Sequence, residues 1–291
     1  MTRVSRLYSR MIAAMGVEGL HIPVTYVKLI RHEDALPDTL TDNSPEEETV
    51  TSCQAVRHAS QGHPVLLTLE NIGCIAAAIC LGLVDQHDDV SLELPSRLYT
   101  ELMRRQSELG EDFHPPSPRE FTNGEVYACR SANRPEYCLF GEVDSGRFKT
   151  KAIARQAIEQ MAAIQPPVMQ AAFFFSNNFE ELDLVPDVVV LDVRPVELTK
   201  IIQGYQFLTG ERIHASLGAL RVVPADLIAQ PYLSGKINVS TYCLGARLLA
   251  GFRADRLGIG IPFDTWEVVV SGLEQSKTGY PFERYPGAAN F

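Results

Sequence analysis

The sequence has little continuous hydrophobicity, and this limits its relation to membranes. Its longest nearly continuous apolar run extends from Ile72 to Val84, which is shorter than the roughly 20 residues that a transmembrane helix needs. The N-terminal stretch MTRVSRLYSRMIAAMGVEGL contains three arginines but no adequate apolar segment before Glu18, so no signal peptide is predicted. We therefore expect a cytoplasmic protein, and the spacing of Leu, Met and Ile in this stretch predicts an amphipathic first helix.

Positive charge is also scarce. The 291 residues include 26 Lys and Arg against 36 Asp and Glu, which gives a formal net charge of -10 at pH 7. Proteins that bind nucleic acids neutralise phosphates with clustered basic residues, and anionic lipid surfaces attract basic segments in the same way. The composition therefore argues against general nucleic-acid binding and against docking on an anionic membrane.

Several common catalytic and metal-binding motifs are missing. The sequence contains no C-x-x-C pair, so neither a zinc ribbon nor a thioredoxin-like motif is predicted. It also lacks the phosphate-binding P-loop, a G-x-G-x-x-G turn that opens a helix, the H-E-x-x-H metalloprotease pattern and the G-x-S-x-G esterase turn. These absences exclude the corresponding functions but leave less stereotyped sites open.

What is present is an alternation of strand-like and helix-like segments, which predicts an α/β fold with a mixed sheet and flanking helices. The stretches VMQAAFFFS and DVVVLDV are continuous apolar strands of the kind that is buried on both faces. The stretch ERIHASLGAL is predicted as a further strand. The helix PVELTKIIQGYQFLTG is predicted to begin near Pro195 and to end near Gly210.

A weak internal similarity between residues 53–78 and 201–226 suggests that the fold consists of two duplicated α/β halves. In both stretches a helix ends at a glycine (Gly62 or Gly210), a strand follows, and a second glycine (Gly73 or Gly218) precedes another helix. The predicted halves are residues 1–145 and 146–291, and a single compact domain is the alternative.

Six cysteines are the main candidates for chemistry. Without a secretory signal, disulfides are not expected, and reduced thiols, metal ligands or redox chemistry are favoured. Cys53 and Cys74 in the first half, Cys243 in the second and, less clearly, Cys129 lie next to turns or helix starts. Backbone N–H groups and the helix dipole lower the pKa of a thiol at such positions, and iron–sulfur clusters bind thiolates. Inert buried thiols are an equally supported interpretation for the first three.

Two further cysteine arrangements are less favourable for metal binding. Cys80 lies six positions after Cys74, so on one helix the two side chains point to different faces, unless the helix begins after Cys74. Cys80 lies between Ile79 and Leu81, and we expect it in the core. Cys129 and Cys138 fall on two strands of a predicted hairpin, where a pair of inert thiols is favoured over a metal or redox pair.

The segment CLGAR, from Cys243 to Arg247, suggests a ligand-binding function. Gly245 would let the backbone approach a ligand closely, and Arg247 could hold a thiolate or an anionic ligand. The alternative is a turn glycine and a surface arginine.

The order of several segments resembles a known family. IPVTYVKLIR, SCQAVRHASQG and ENIGCIAAAICLGL, followed by PDVVVLDVRPVELTKIIQGYQFLTGERIHASLGAL, CLGAR and LGIGIP, are similar to the domain of unknown function 169 family, the uncharacterised ArCR proteins. The resemblance extends over roughly residues 20 to 275. It implies cysteines at the positions of Cys53, Cys74 and Cys243, and a fourth after the SLG turn. This chain reads GALRVVPAD there and has no cysteine.

Together these observations favour an iron–sulfur protein. We expect Cys53, Cys74 and Cys243 as ligands of a cluster such as a 4Fe–4S cluster, with Cys80 as a weaker fourth candidate, acting in electron transfer or in small-molecule binding. The alternative is a cluster-free enzyme or ligand-binding module in which Cys243 or Cys74 is the nucleophile and Arg247 orients an anionic small molecule. A structural protein with inert thiols is a third interpretation. Expected partners are a small molecule, a redox protein or a second copy in a homo-oligomer.

Overall fold

The computed structural model describes residues 2–16, 20–43, 50–84, 156–157, 160–164, 169–180, 184–219 and 221–276. Within these residues, six strands form one sheet in the order β2-β3-β1-β4-β6-β5, and every pairing between neighbours is antiparallel. The strands are β1 (Val24–Arg31), β2 (Val65–Leu67), β3 (Met169–Phe175), β4 (Val188–Val193), β5 (Asn238–Ser240) and β6 (Leu257–Pro262).

Helices cover both faces of this sheet. The described α-helices are α1 (Arg3–Met15), α2 (Asp38–Thr41), α3 (Ser52–Ser60), α4 (Ile75–Cys80), α5 (Pro195–Thr209), α6 (Gln230–Ser234), α7 (Leu244–Ala250) and α8 (Phe263–Gln275). A π-helix, Val223–Ala229, runs directly into α6. None of the described helices is long and apolar enough to span a bilayer.

The alternation of side chains along the strands divides the core into two clusters. On β4, Val188 and Val190 belong to one cluster, and Val189 and Leu191 belong to the other. The first cluster includes residues of α3, α4, the π-helix and α7, and the second includes residues of α1, α5 and α8. Both faces of the central strands are therefore buried, which explains the continuous apolar sequences of β3 and β4.

Local signals in the sequence determine where the helices begin and end. Thr51 and Gln54 form a capping box at the start of α3, which satisfies backbone N–H groups that the helix leaves unpaired. Pro195 opens α5 and Gly210 ends it in the left-handed conformation with φ 69°, as the sequence predicted. The residue after the α3 cap, Gly62, also has a positive φ, at 95°.

The α/β class with a sheet flanked by helices is confirmed, but one predicted strand is wrong. Residues 211–219, which include most of ERIHASLGAL, form no strand. The Asn238 side chain instead binds this segment: its Oδ1 accepts from the Ser216 N–H at 2.8 Å, and its Nδ2 donates to the Ser216 carbonyl at 3.0 Å. A side chain of β5 therefore takes the hydrogen bonds that a neighbouring strand would have taken.

Strands from both predicted halves alternate in the single sheet. β1 and β2 come from residues 1–145, and β3 to β6 come from residues 146–291, with β1 between β3 and β4. The described residues do not show a duplication, and the strand predicted after Gly210 is not formed. The boundary at residue 145 and the predicted hairpin with Cys129 and Cys138 lie outside the described residues, so the division into halves remains a prediction.

Candidate functional site

Three cysteines that are far apart in the sequence lie at the starts of three helices on one face of the sheet. Cys53 is the second residue of α3, Cys74 immediately precedes α4, and Cys243 immediately precedes α7. All three are buried in the hydrophobic cluster that includes the π-helix. The structure therefore brings the three predicted ligands into one buried region.

A short bridge joins the segments that carry Cys53 and Cys74. Val50 and Ile72 pair as parallel strands. The Val50 N–H donates to the Asn71 carbonyl at 3.0 Å, and the Gly73 N–H donates to the Val50 carbonyl at 2.9 Å. Because α7 packs against α3, the third cysteine approaches the same region from the C-terminal part of the chain.

The Cys53 thiol interacts electrostatically with both other cysteines. Burial is the largest cause that raises the pKa of Cys53 well above its ordinary value, and Cys243 and then Cys74 raise it further. A hydrogen bond with Ser52 and the charge of Arg221 act in the opposite direction. The prediction of a lowered pKa at this helix start is therefore wrong for Cys53, because the loss of solvation outweighs the favourable contacts. At neutral pH the Cys53 thiol is protonated unless a cation stabilises the thiolate.

Cys80 is fully buried, as expected for a core residue, but it also lies near the Cys74 thiol. The helix α4 begins at Ile75, and Cys74 has extended backbone angles of φ -134° and ψ 110°. The condition under which Cys74 and Cys80 can approach one site is therefore met. Burial and then the proximity of Cys74 raise the pKa of Cys80, while Arg221 lowers it.

Two charged residues that sequence reasoning missed lie beside these thiols. Arg221 has a positive φ of 57°, which is unusual for a residue other than glycine, and its charge acts on both Cys53 and Cys80. Asp226 lies on the π-helix and raises the pKa of Cys80. Burial raises the pKa of Asp226 itself to about 6, although the Gly218 N–H donates to its Oδ2 at 3.1 Å. Both residues belong to GALRVVPAD, the segment that the family resemblance had already singled out.

A buried tyrosine connects the cysteine region to a carboxylate. Tyr242, which directly precedes Cys243, has a φ of 62°, and its hydroxyl donates to Asp192 Oδ1 at 3.0 Å. Its ring stacks on Phe252 with a centroid distance of 4.2 Å. Burial, followed by the Asp192 charge, raises the pKa of Tyr242 well above its ordinary value, and Cys53 adds a smaller contribution. Neither Tyr242 nor Asp192 belongs to a sequence motif that would have identified it.

The structure gives Arg247 extensive contacts with the backbone. Its Nη2 donates to the Thr241 carbonyl at 2.7 Å, and its Nη1 donates to the Arg253 carbonyl. These bonds connect the segments on either side of α7. Among the described residues, a Cβ at Gly245 would contact the Cys243 sulfur at 3.9 Å, an ordinary distance, so a methyl group fits there. Ligand binding by Gly245 and Arg247 remains a prediction.

Within the part of the chain that the structure describes, no group of three or more His, Cys, Asp or Glu side chains is positioned to hold a metal ion. Thiolates are the donor type that iron–sulfur clusters bind. Cys129 and Cys138 lie outside the described residues.

Comparison with known proteins identifies the family. The model of the domain of unknown function 169 family, described as uncharacterised ArCR, matches residues 20–272. The chain belongs to this family, as the order of its segments predicted. A curated relative, the uncharacterized protein MJ0308 of Methanocaldococcus jannaschii, is 22% identical over 144 residues, which cover 49% of this chain and 60% of the relative. No solved structure matches the chain.

Proposed function

We propose that the protein binds an iron–sulfur cluster through Cys53, Cys74 and Cys243. The observation that carries this proposal is the convergence of three cysteines from three helix starts in one buried region. Such a cluster would supply one-electron transfer, or an iron with a free position for a small molecule.

The electrostatics of the cysteine region support a bound cation. The pKa of Cys53 is raised by burial and by its two neighbouring thiols, so several thiolates together would be unfavourable in this region without positive charge. Iron supplies that charge and displaces the thiol protons. Arg221 lies close enough to stabilise part of the remaining negative charge, since it already lowers the pKa of Cys53 and Cys80.

Two residues are candidates for the fourth ligand position. Cys80 interacts electrostatically with Cys74, and Asp226 is the partly buried carboxylate that acts on Cys80. A thiolate is the softer ligand and is favoured by iron–sulfur clusters. A carboxylate at this position would leave the cluster with a more weakly held corner, which suits binding of a small molecule.

The proposed site would function in the cytoplasm, a reducing compartment in which free thiols persist. The partner would be a redox protein or a small molecule. The alternative is a cluster-free protein in which Cys243 or Cys74 acts as the nucleophile and Arg247 orients an anionic substrate.

Anaerobic reconstitution of cysteine variants tests the ligand set. The wild type and the variants Cys53→Ala, Cys74→Ala, Cys243→Ala and Cys80→Ala are each incubated with iron and sulfide and then desalted. We expect each of the first three variants to lose most of the iron that the wild type retains, because each loses a thiolate ligand. Iron and acid-labile sulfide per chain, together with the visible spectrum, provide the measurement.

The Cys80→Ala variant tests the fourth ligand position, because it removes a buried thiol that interacts electrostatically with Cys74. Iron retained in Cys80→Ala but lost in Asp226→Asn would identify the carboxylate as the fourth ligand, and the reverse would identify Cys80. Equal iron content in the wild type and all four cysteine variants would refute the proposal. Circular dichroism of each variant separates loss of a ligand from loss of the fold.

A further inference from the structure

A cavity of about 460 Å³ lies at the end of two central strands, and its lining includes none of the cysteines. Tyr26 of β1 pairs with Phe175 of β3, so the residues just before β1 and just after β3 meet at this end of the sheet. His21 and Pro23 come from the first segment, and residues 176–178 come from the second. The volume falls in the range of about 300–1,000 Å³ that is typical of small-molecule sites.

The charge of the cavity is the opposite of what the composition of the chain would give. Arg57, from the last turn of α3, and His21 line it, and no Asp or Glu does. The whole chain carries ten more acidic than basic residues, 36 against 26. A polar cavity with a guanidinium and no carboxylate favours a ligand of negative charge.

The guanidinium of Arg57 has no ion-pair partner among the described residues. Its charge does act on Asp192. Burial raises the pKa of Asp192, while Arg256 and, more weakly, Arg57 lower it. Asp192 Oδ1 already accepts from the Tyr242 hydroxyl at 3.0 Å, and its Oδ2 lies 3.4 Å from Arg256 Nε. Arg57 is therefore available to an incoming oxyanion, which its planar guanidinium can bind through two parallel hydrogen bonds.

Neutral polar groups on the opposite wall provide hydrogen bonds for the rest of a ligand. Asn177 Nδ2 donates to Asn178 Oδ1 at 2.9 Å, which leaves the Asn177 carbonyl and the Asn178 amide group for other partners. The Tyr8 hydroxyl donates to the Ile22 carbonyl at 3.0 Å and contacts His21 Nδ1 at 3.2 Å. These bonds hold the Tyr8 and His21 side chains at the wall of the cavity.

We propose that this cavity binds a small organic anion, with its carboxylate or phosphate group on Arg57 and its neutral polar part on Asn177 and Asn178. The site is separate from the cysteine region and does not depend on a cluster. It adds a binding function for a polar metabolite to the proposed redox role.

Calorimetric titration of the full-length protein with malonate and, separately, with inorganic phosphate tests the site, in a buffer of low chloride. We expect saturable binding of at least one probe, and the tighter probe indicates whether a carboxylate or a phosphate is preferred. Arg57→Gln should weaken that binding by about 10- to 100-fold, because a charge-assisted hydrogen-bond pair is lost. Arg57→Lys should weaken the binding less, since the positive charge remains although the two parallel hydrogen bonds of the guanidinium are lost.

The control is Arg212→Gln, which removes an exposed arginine that does not line the cavity. Unchanged affinity in this variant supports a specific site. Absence of saturable binding to both probes in the wild type would overturn the proposal, and so would an equal loss of affinity in Arg212→Gln and Arg57→Gln. The Lys variant keeps the test decisive if Arg57→Gln fails to fold. Iron content of Arg57→Gln should equal that of the wild type, so failure here is distinguishable from failure of the cluster proposal.

Discussion

At the scale of residues, burial changes the pKa of a carboxyl group that lies near the cysteines. Asp226 is a carboxyl group whose ordinary pKa is 3.8, and burial in the π-helix raises it to about 6. The folded protein therefore binds a proton at Asp226 more tightly than the unfolded chain does. Stability from this group is present below the unfolded pKa and decreases as the pH rises through the folded pKa.

Asp226→Asn is expected to remove this pH dependence, because an amide stays neutral throughout. The variant and the wild type should be about equally stable near pH 4, and the variant should be more stable above pH 7. One pKa unit corresponds to about 1.4 kcal/mol, and partial exposure reduces the effect, so a difference on the order of 1–2 kcal/mol is expected. Denaturant unfolding of both proteins at a series of pH values provides the measurement. A difference that is constant between pH 4 and pH 8 would contradict the assignment.

The residue types in this region were only partly predictable from the sequence. The positions of Cys53, Cys74 and Cys243 beside helix starts follow from local turn and cap signals, and the structure agrees with them. The roles of Tyr242 and Asp192 depend on a contact across 50 positions of the sequence. No periodicity or motif within a single segment contains that information.

At the scale of elements, the position of the π-helix depends on two glycines of β6. Gly258 and Gly260 face the π-helix, and a Cβ at Gly260 would overlap the backbone of Leu227. The absence of side chains at these two positions lets the π-helix lie directly against the sheet. Asp226 is the residue before Leu227, so this contact also determines where its carboxylate lies.

Gly260→Ala should destabilise the protein, because the obstructing atoms are backbone and cannot move independently. A decrease in the free energy of unfolding of about 1–3 kcal/mol or more is expected from such overpacking. Thermal or denaturant unfolding measures the decrease. The variant should also retain less iron than the wild type after reconstitution, since the π-helix must shift.

Gly245→Ala is the matched control for that substitution. A Cβ there meets only the Cys243 sulfur at an ordinary contact distance of 3.9 Å, and alanine favours the helical conformation of α7. Its stability should equal or exceed that of the wild type. A loss of stability in Gly245→Ala comparable to that in Gly260→Ala would contradict the explanation of the Gly260→Ala effect by overlap with Leu227.

Elements that depend on local sequence were predicted better than those that depend on a partner. The capping box of α3 and the Pro195 and Gly210 ends of α5 lie within a few residues of the helices that they define. The segment 211–219 contacts the edge strand β5, but the Asn238 side chain, not the β5 backbone, binds the Ser216 N–H and carbonyl. The sequence of this segment therefore predicted a strand wrongly, because its contact with β5 depends on a distant side chain.

At the scale of the whole molecule, the two candidate sites lie at opposite ends of one helix, α3. The cysteine region lies on the face covered by α3, α4, α7 and the π-helix. The anion cavity lies at the end of β1 and β3, between α1 and the C-terminal end of α3. The helix α3 contributes Cys53 to one site and Arg57 to the other, so it is the element through which one site would affect the other.

The central claim is that Cys53, Cys74 and Cys243 form a site for an iron–sulfur cluster. The most direct test is the iron and acid-labile sulfide content of the wild-type protein, purified without oxygen, together with its visible absorption. We expect iron and sulfide in stoichiometric amounts and a broad absorption band that disappears in the Cys53→Ala, Cys74→Ala, Cys243→Ala triple variant. A colourless protein that contains neither iron nor sulfide, before and after anaerobic reconstitution, would contradict the claim.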